Sequence, residues 1–172
     1  EMSASLVGSE MCIRDSPGME CFASEDRKGG STDKYLFTAD GKKINTTNAE
    51  VPGCRNWIWW DADLLRETFK GDDNRWGASS SSGGRKQSIW KWQGEVLTEG
   101  IEGDILMIAD LEGDWREELI TALPGELRIY HTNIPARDRR VTLMQDPLYR
   151  SYVAHRSMGY PQAPVPSFYL GE

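Results

Sequence analysis

The sequence has little histidine and cysteine, and their scarcity removes several kinds of site. Its 172 residues include 2 His and 3 Cys, and neither His131 nor His155 has the close Cys or His partners that a zinc site requires. So few cysteines cannot build a disulfide framework. An apolar run of about eighteen residues is also lacking, so the sequence predicts no membrane-spanning helix. The spacing of an EF-hand loop is absent as well.

Basic charge is also in short supply. The chain carries 20 Lys and Arg against 27 Asp and Glu, a formal net charge of −7, whereas a nucleic-acid-binding protein favours a basic face. We therefore expect no nucleic-acid partner. Aromatic residues, by contrast, are plentiful, with 7 Trp and 6 Tyr. They predict large core positions for the most part, with platforms for stacking sugars as the alternative.

The first sixteen residues look foreign to the rest of the sequence. LVGSEMCIRDS, residues 6–16, has no strand alternation, no helical stripe and no apolar run long enough for a signal peptide. It resembles the translation of a common transposon sequencing adapter. We therefore expect residues 1–16 to be an adapter-derived segment that makes few buried contacts. Residues 17–172 are then expected to be the C-terminal part of a longer domain.

Short strands and tight turns dominate the remaining sequence. Asp40–Gly41 lies within DKYLFTADGKKI and predicts a hairpin, because Asp-Gly readily supplies positive φ angles. Pro124–Gly125 predicts a second hairpin between EELITAL and ELRIYHT. The polar, Gly-rich stretch 70–86 predicts a loop. Further short strands are predicted in MECFASE, NWIWWDAD, SIWKW, DILMIAD, RRVTLMQD and the end of the Pro-rich tail.

One helix is the exception. Tyr149 and Val153 have helical spacing, and Pro147 suits the first turn of a helix. The fold class is therefore all-β with little helix. Two passages, Arg66–Glu67 and Arg116–Glu117, recur fifty residues apart, which is close to one blade of a β-propeller. The sequence thus favours the last few blades of a propeller.

A piece of a propeller leaves surfaces uncovered. The last blade normally pairs with the first, which removes exposed sheet edges. A chain that holds only the final blades therefore has an unpaired edge and an uncovered face. We expect exposed apolar side chains there, and the candidates are Trp57, Trp59, Trp60, Trp90 and Trp92.

Clusters of acidic residues follow two of the predicted strands. Ca²⁺ takes six to eight oxygen ligands, which grouped carboxylates and loop carbonyls supply. The sequence predicts two such sets, which consist of Asp61, Asp63 and Glu67, and of Asp110, Asp114 and Glu117 around a turn at Gly113. Solvated turn carboxylates, with Arg116 paired to one of them, are the alternative for the same residues.

The chain resembles the C-terminal part of family eleven polysaccharide lyases, the rhamnogalacturonan lyases, in ADLEGDWREELI, ELRIYHTNIPARDRRVTLMQDPLYR and MGYPQAPVPSFYLG. PGMECFASE, NWIWWDADLLRETF and SIWKW resemble the same family upstream and in the same order. The resemblance implies an eight-bladed β-propeller with structural Ca²⁺, secreted or periplasmic and monomeric as the full-length protein. It also implies β-elimination of the pectin backbone in which galacturonate alternates with rhamnose.

β-Elimination from a uronate sets chemical requirements. The reaction removes the proton next to a carboxylate, so the site needs a base and cations that neutralise that carboxylate. The candidates are Tyr160 and Arg140 for catalysis, and Arg139, Arg150, Gly100 and Gln162 for substrate binding. Arginines in a solvated loop, and a tyrosine that packs or stacks, are the competing interpretations.

One departure from the family pattern bears on catalysis. Members carry Asn-Gly-Thr-Lys shortly before the ADLEGDW passage, and these residues contact substrate. This chain has Glu99-Gly100-Ile101-Glu102 there, which places a carboxylate where the family has a cation. Three hypotheses therefore stay open: a rhamnogalacturonan-lyase-like enzyme, a glycan-binding propeller with altered or lost catalysis, and a calcium-stabilised structural propeller for protein contacts.

Overall fold

The computed structural model describes residues 10–11, 20–24, 33–38, 40–44, 47, 57–71, 86–91, 94–158 and 163–170. Across these ranges the chain consists of short strands and one α-helix. The strands are β1 (Glu10–Met11), β2 (Glu20–Ser24), β3 (Lys34–Thr38), β4 (Trp57–Ile58), β5 (Glu67–Gly71), β6 (Lys86–Trp90), β7 (Val96–Glu102), β8 (Asp104–Ala109), β9 (Glu118–Leu123) and β10 (Glu126–Tyr130). The helices are a 3₁₀ turn (Leu143–Gln145) and α1 (Pro147–Ser157).

The strands form three antiparallel sheets among the described residues. Their strand orders are β1-β2-β3, β4-β5-β6-β7 and β10-β9-β8. This confirms the predicted all-β class. No helix in the described part of the chain is long and apolar enough to cross a membrane.

The first sheet contains the predicted Asp-Gly hairpin. Gly41 has φ of 84°, and the returning arm is reduced to one bridge between Phe37 and Lys43. β1 falls inside the segment that resembles an adapter, and Glu10 pairs with Cys21 in β2. Residues 1–9 and 12–19 lie outside the described part, so the foreign origin of residues 1–16 stays a prediction.

The second and third sheets repeat one arrangement of strands. Ile58 pairs with Glu67, and Ala109 pairs with Glu118, so the two strand pairs match at an offset of 51 residues. In the sequence, the repeated passages Arg66–Glu67 and Arg116–Glu117 are related by an offset of 50. The structural repeat is therefore real but is shifted by one residue from the repeated letters.

Apolar side chains from these two sheets meet in a shared core. Its buried members are Ile58, Trp60, Phe69, Ile89, Ile101, Ile105, Ile108 and Leu119. Each sheet contributes one face, which is the pattern that alternating strands produce. A second cluster lies beneath α1 and joins Trp59, Ala109, Trp115, Leu143, Tyr149, Val153 and Leu170.

The segment after β10 corrects one predicted strand. RRVTLMQD, residues 139–146, forms an irregular stretch and then the 3₁₀ turn. Two side chains end extended structure here, because Thr142 Oγ1 accepts from the Met144 N–H and Asp146 caps α1 by accepting from the Leu148 N–H. α1 begins at Pro147 as predicted. The tail is also no strand over residues 163–170.

The expected exposure of tryptophans is wrong for most of the candidates. Trp57, Trp59 and Trp60 are at most 2 % exposed, and Trp90 is half-buried. Trp92 lies outside the described residues. Trp60 is buried in the core shared by the two sheets, and Trp59 is buried in the cluster beneath α1, although β4 is an outer strand of its sheet.

Two neighbouring apolar side chains on β10 are exposed instead. Leu127 is 69 % exposed and Ile129 is 61 % exposed. β10 is the outer strand of a three-stranded sheet, whereas the preceding sheet has four strands. Phe69 of the second sheet is buried against the third, and its counterpart at the 51-residue offset, Ile120, is only half-buried.

Candidate functional site

The first acidic turn, residues 60–67, brings three predicted metal ligands together. Carboxylate oxygens of Asp61, Asp63 and Glu67 lie within 4.8 Å of one another. The turn runs between β4 and β5, so the Ile58–Glu67 strand pair draws Glu67 back toward the start of the loop. Three oxygens at this spacing can share one cation.

Backbone N–H groups fix these carboxylates. Asp61 Oδ1 accepts from the Asp63 N–H at 2.8 Å, and Asp63 Oδ1 accepts from the Leu65 N–H at 2.9 Å. Glu67 Oε2 accepts from the Trp60 N–H at 2.8 Å. Each carboxylate therefore keeps a second oxygen for another partner. Burial, followed by the charge of Asp61, raises the pKa of Glu67 to about 8.

Lys91 supplies positive charge to this turn. Its Nζ lies 2.6 Å from Asp61 Oδ2 and 2.5 Å from Asp63 Oδ2. Burial acts to lower the pKa of Lys91, but the hydrogen bonds to the two aspartates outweigh it and raise the pKa. Sequence analysis missed this lysine, whose signal was its place directly after a strand in SIWKW.

The second acidic turn, residues 110–118, does not gather its predicted ligands. Asp110 accepts from the Gly113 N–H at 2.8 Å and, through Oδ2, from Thr142 Oγ1 and the Leu143 N–H. It thereby ties the second acidic turn to the start of the 3₁₀ turn. Asp110 is 1 % exposed, so these bonds replace water.

Asp114 and Glu117 point to different partners. Asp114 Oδ1 accepts from the Arg116 N–H at 3.1 Å, and its Oδ2 pairs with the Arg116 guanidinium. Glu117 accepts from the Tyr149 hydroxyl at 2.7 Å and from the Trp59 N–H at 3.0 Å. Among the described residues, the close carboxylate group is therefore confined to the first acidic turn.

Glu118, and not Glu117, is the structural counterpart of Glu67. The repeated Arg-Glu letters had matched Glu67 with Glu117. Glu118 Oε2 accepts from the Leu111 N–H at 2.6 Å and from the Glu112 N–H at 3.1 Å, as Glu67 accepts from the first turn. Burial raises the pKa of Glu118 to about 7. The 51-residue strand register is the signal that would have identified it.

Arg66 is a buried cation between the two turns. Its guanidinium carbon lies 3.7 Å from the ring centroid of Trp59, and Nη2 lies 3.6 Å from Glu117 Oε1. Nη2 also donates to the Pro164 carbonyl. Arg66 therefore joins β5, the second acidic turn and the tail.

The predicted substrate residues occupy several elements. Arg139 is exposed and Arg140 half-buried in the segment between β10 and the 3₁₀ turn. Arg150 is exposed on α1 and donates to the Met144 carbonyl at 2.9 Å. Gly100 is exposed in β7 with φ of 78°. Tyr160 and Gln162 lie outside the described residues, and all six roles stay predictions.

The departure at residues 99–102 has a local explanation. Glu102 pairs with Arg128, with 2.6 Å between Oε2 and Nη1, so a cation on the neighbouring sheet meets its charge. Ile101 is buried in the core between the sheets. Residues 99–102 are thus part of strand β7 in a packed sheet, and Glu102 is not an isolated negative charge.

Comparison with known proteins places the chain in a family. The family model described as "Rhamnogalacturonan lyase family 11, C-terminal domain" matches residues 8–172. The chain is 39 % identical over 159 residues to the Bacillus subtilis rhamnogalacturonan endolyase YesW, covering 91 % of this chain and 23 % of that protein. It is 38 % identical over 148 residues to the B. subtilis rhamnogalacturonan exolyase YesX, covering 79 % of this chain and 23 % of that protein.

Solved structures agree with these relatives. The crystal structure of YesW matches with a TM-score of 0.66 and 32 % identity, over 95 % of this chain and 26 % of that chain. A Bacillus licheniformis rhamnogalacturonan lyase matches with a TM-score of 0.65 and 31 % identity, over 96 % of this chain and 26 % of that chain. The chain thus spans about a quarter of the length of these relatives. It belongs to rhamnogalacturonan lyase family 11, within the C-terminal domain.

Proposed function

We propose that the protein to which this chain belongs is a rhamnogalacturonan lyase, which cleaves the galacturonate–rhamnose backbone of pectin by β-elimination. The observation that carries the proposal is the family match over residues 8–172, together with 39 % identity to an endolyase. The proposed substrate is an acidic polysaccharide. The proposed setting is extracellular or periplasmic, with a monomeric full-length protein.

The arginines of this chain suit an acidic sugar. In the transition state negative charge grows on the uronate carboxylate, and fixed cations that face it lower the barrier. We assign Arg139 and Arg150 to substrate binding, with Gly100 and Gln162 beside the sugar chain. Arg140 and Tyr160 are the candidates that accept or deliver the proton. Arg139 and Arg150 are exposed, as a polymer substrate requires.

The proposed architecture of the full-length domain is an eight-bladed β-propeller. Two consecutive antiparallel sheets that repeat at 51 residues and pack face to face support this arrangement. The exposed Leu127 and Ile129 on β10 suit a face that a further blade covers.

Calcium is the proposed structural ion, held at the first acidic turn by Asp61, Asp63 and Glu67. The close carboxylate oxygens support it, because Ca²⁺ prefers oxygen ligands. The second set, Asp110, Asp114 and Glu117, is a weaker proposal, since their carboxylates are engaged by Thr142, Arg116 and Tyr149 respectively.

Lyase action on rhamnogalacturonan tests the function. The full-length protein is incubated with the polysaccharide, and the absorbance of the unsaturated product is followed. We expect turnover, and a loss of at least tenfold in Arg140→Ala, while Arg137→Ala, at an exposed position of the same segment, serves as the control. Binding to the polysaccharide with no unsaturated product would replace the proposed lyase with a glycan-binding protein.

A further inference from the structure

Lys91 is placed at the first acidic turn by the strand register. Thr68 pairs with Trp90 across β5 and β6, so Lys91, the residue that follows β6, lies beside Glu67. A turn then holds the lysine backbone, because its N–H donates to the Glu95 carbonyl at 2.9 Å and its carbonyl accepts from the Gly94 N–H at 3.0 Å. The backbone position is therefore fixed, while the four-carbon side chain keeps its freedom.

The ammonium uses the oxygens that a metal ion needs. The Oδ1 atoms of Asp61 and Asp63 accept backbone N–H groups, which leaves the Oδ2 atoms for a cation. Lys91 Nζ bonds to both Oδ2 atoms, at 2.6 and 2.5 Å. A divalent ion on these two oxygens would lie close to the ammonium, and the repulsion between the two cations opposes binding of both at once.

We propose that Lys91 is an internal competitor for the divalent cation at the first acidic turn, so that a calcium ion binds there only after the ammonium has left the Asp61 and Asp63 carboxylates. The inference rests on the calcium site proposed above. It makes calcium affinity at this turn a property of residue 91 as much as of the three acids. With the ammonium in place, part of the negative charge of the turn is neutralised without a metal ion.

We assign the exchange of an internal cation for calcium to the first acidic turn, because the internal cation of the second turn is held more firmly. Its aspartate, Asp114, also pairs with an internal cation, Arg116. The Arg116 guanidinium, however, donates to the Ile134 carbonyl as well, and its side chain is 9 % exposed. The Lys91 side chain is 34 % exposed, so its head can move into water.

Calcium binding by lysine variants tests the proposal. In the full-length protein, Lys91→Met and Lys91→Gln remove the ammonium. Lys42→Met is the control, because Lys42 also pairs with an aspartate, Asp40, but its side chain is 81 % exposed. The measurements are calcium titration calorimetry and the melting temperature with calcium and with chelator. Terbium luminescence, excited through nearby tryptophans such as Trp60, provides a second readout of binding.

We expect both Lys91 variants to bind calcium at least tenfold more tightly than the parent, and their melting temperature to rise more on calcium addition. Adding Asp61→Asn to Lys91→Gln should abolish that gain, which locates it at this turn. Equal calcium affinity in the parent, Lys91→Gln and Lys42→Met would overturn the competition while leaving the calcium site intact. If no variant shows calcium binding that depends on Asp61, both the competition and the calcium site are overturned.

Discussion

Arg66 and Glu117 form a buried ion pair between corresponding positions of two repeated units. Their numbers differ by the same 51 residues that relate Ile58–Glu67 to Ala109–Glu118, yet one position carries a guanidinium and the other a carboxylate. The Nη2–Oε1 distance is 3.6 Å, and both side chains are at most 1 % exposed. The repeat thus uses opposite charges at one position to join its two copies.

Replacing only one member of this pair should strongly destabilise the fold. We expect Glu117→Gln or Arg66→Met alone to lower the free energy of unfolding by about 3–5 kcal/mol, because the remaining charge stays buried without its partner. The double variant should lose much less than the sum. Denaturant unfolding measures all three, with Arg128→Met, which breaks a half-exposed pair with Glu102, as the control. Additive single effects would contradict direct coupling.

Tyr149 links α1 to both ends of the second acidic turn. Its hydroxyl donates to Glu117 Oε1 at 2.7 Å and accepts from the Asp110 N–H at 3.0 Å. Tyr149→Phe leaves two buried polar groups without this partner, so we expect a loss of roughly 1–3 kcal/mol of unfolding free energy. Tyr152→Phe, half-buried on the same helix, is the control and should change stability little. Equal effects would show that the hydroxyl bonds do not matter.

Gly103 and Gly100 offer a matched pair of substitutions. Both have positive φ, 99° and 78°. A Cβ on Gly103 would lie 2.7 Å from the Ala122 carbonyl oxygen, whereas one on Gly100 meets nothing within 4 Å. We expect Gly100→Ala to cost about 1 kcal/mol from its backbone angle, and Gly103→Ala a further ~1–3 kcal/mol from crowding. Thermal and denaturant unfolding check the difference, and indistinguishable variants would contradict it.

Asp146 should give stability a defined pH dependence. Burial acts to raise its pKa, but the backbone N–H groups of Ser167 and Leu148 outweigh it and hold the pKa below 3.8. Because the folded pKa is the lower one, the ionised group stabilises the fold above pH 3.8, and that contribution is lost as the pH falls through the folded pKa.

Asp146→Asn removes the charge and keeps an acceptor at the cap of α1. We expect the parent to exceed the variant in unfolding free energy at pH 6, and the gap to narrow as the pH falls through the folded pKa of Asp146. Denaturant unfolding across this range measures it, with Asp138→Asn, an exposed position, as the control. A gap that stays constant with pH would show that the carboxylate charge is not responsible.

Asp110 and Asp114 should respond differently to truncation. Asp110 accepts hydrogen bonds from three groups, one in its own turn and two at the start of the 3₁₀ turn, so Asp110→Ala should cost about 2–3 kcal/mol of unfolding free energy with calcium or with chelator. Asp114 is partly exposed and pairs with a neighbour in sequence, so Asp114→Ala should cost roughly 1 kcal/mol. Melting curves in both conditions compare them. A larger loss for Asp114→Ala that appears only with calcium would favour an ion at the second turn.

Features that depend on a few neighbouring residues were predictable from the sequence. Pro147 places the start of α1, and Asp40–Gly41 places a hairpin, because a few neighbouring residues set those backbone angles. The first carboxylate group was also predictable, since Asp61, Asp63 and Glu67 lie within a single turn of the chain.

Contacts between distant segments were not predictable in this way. Lys91 reaches Asp63 from 28 positions away, and Tyr149 reaches Glu117 from 32. Residues 139–146 have a strand-like composition, yet their side-chain caps and the anchoring of Leu143 to Asp110 decide the backbone. Spacing along the chain carries no information about these partners.

The one-residue difference between repeated letters and strand register matters for recombining the two units. A graft aligned on Arg-Glu would put Glu67 where Glu117 stands and Thr68 where Glu118 stands. The N–H groups of Leu111 and Glu112 would then lose their carboxylate acceptor, and the grafted strand would enter with its two faces exchanged. A chimera of these units, or an inferred ancestor of them, is therefore sound only when hydrogen-bond partners, and not identical residues, define the alignment.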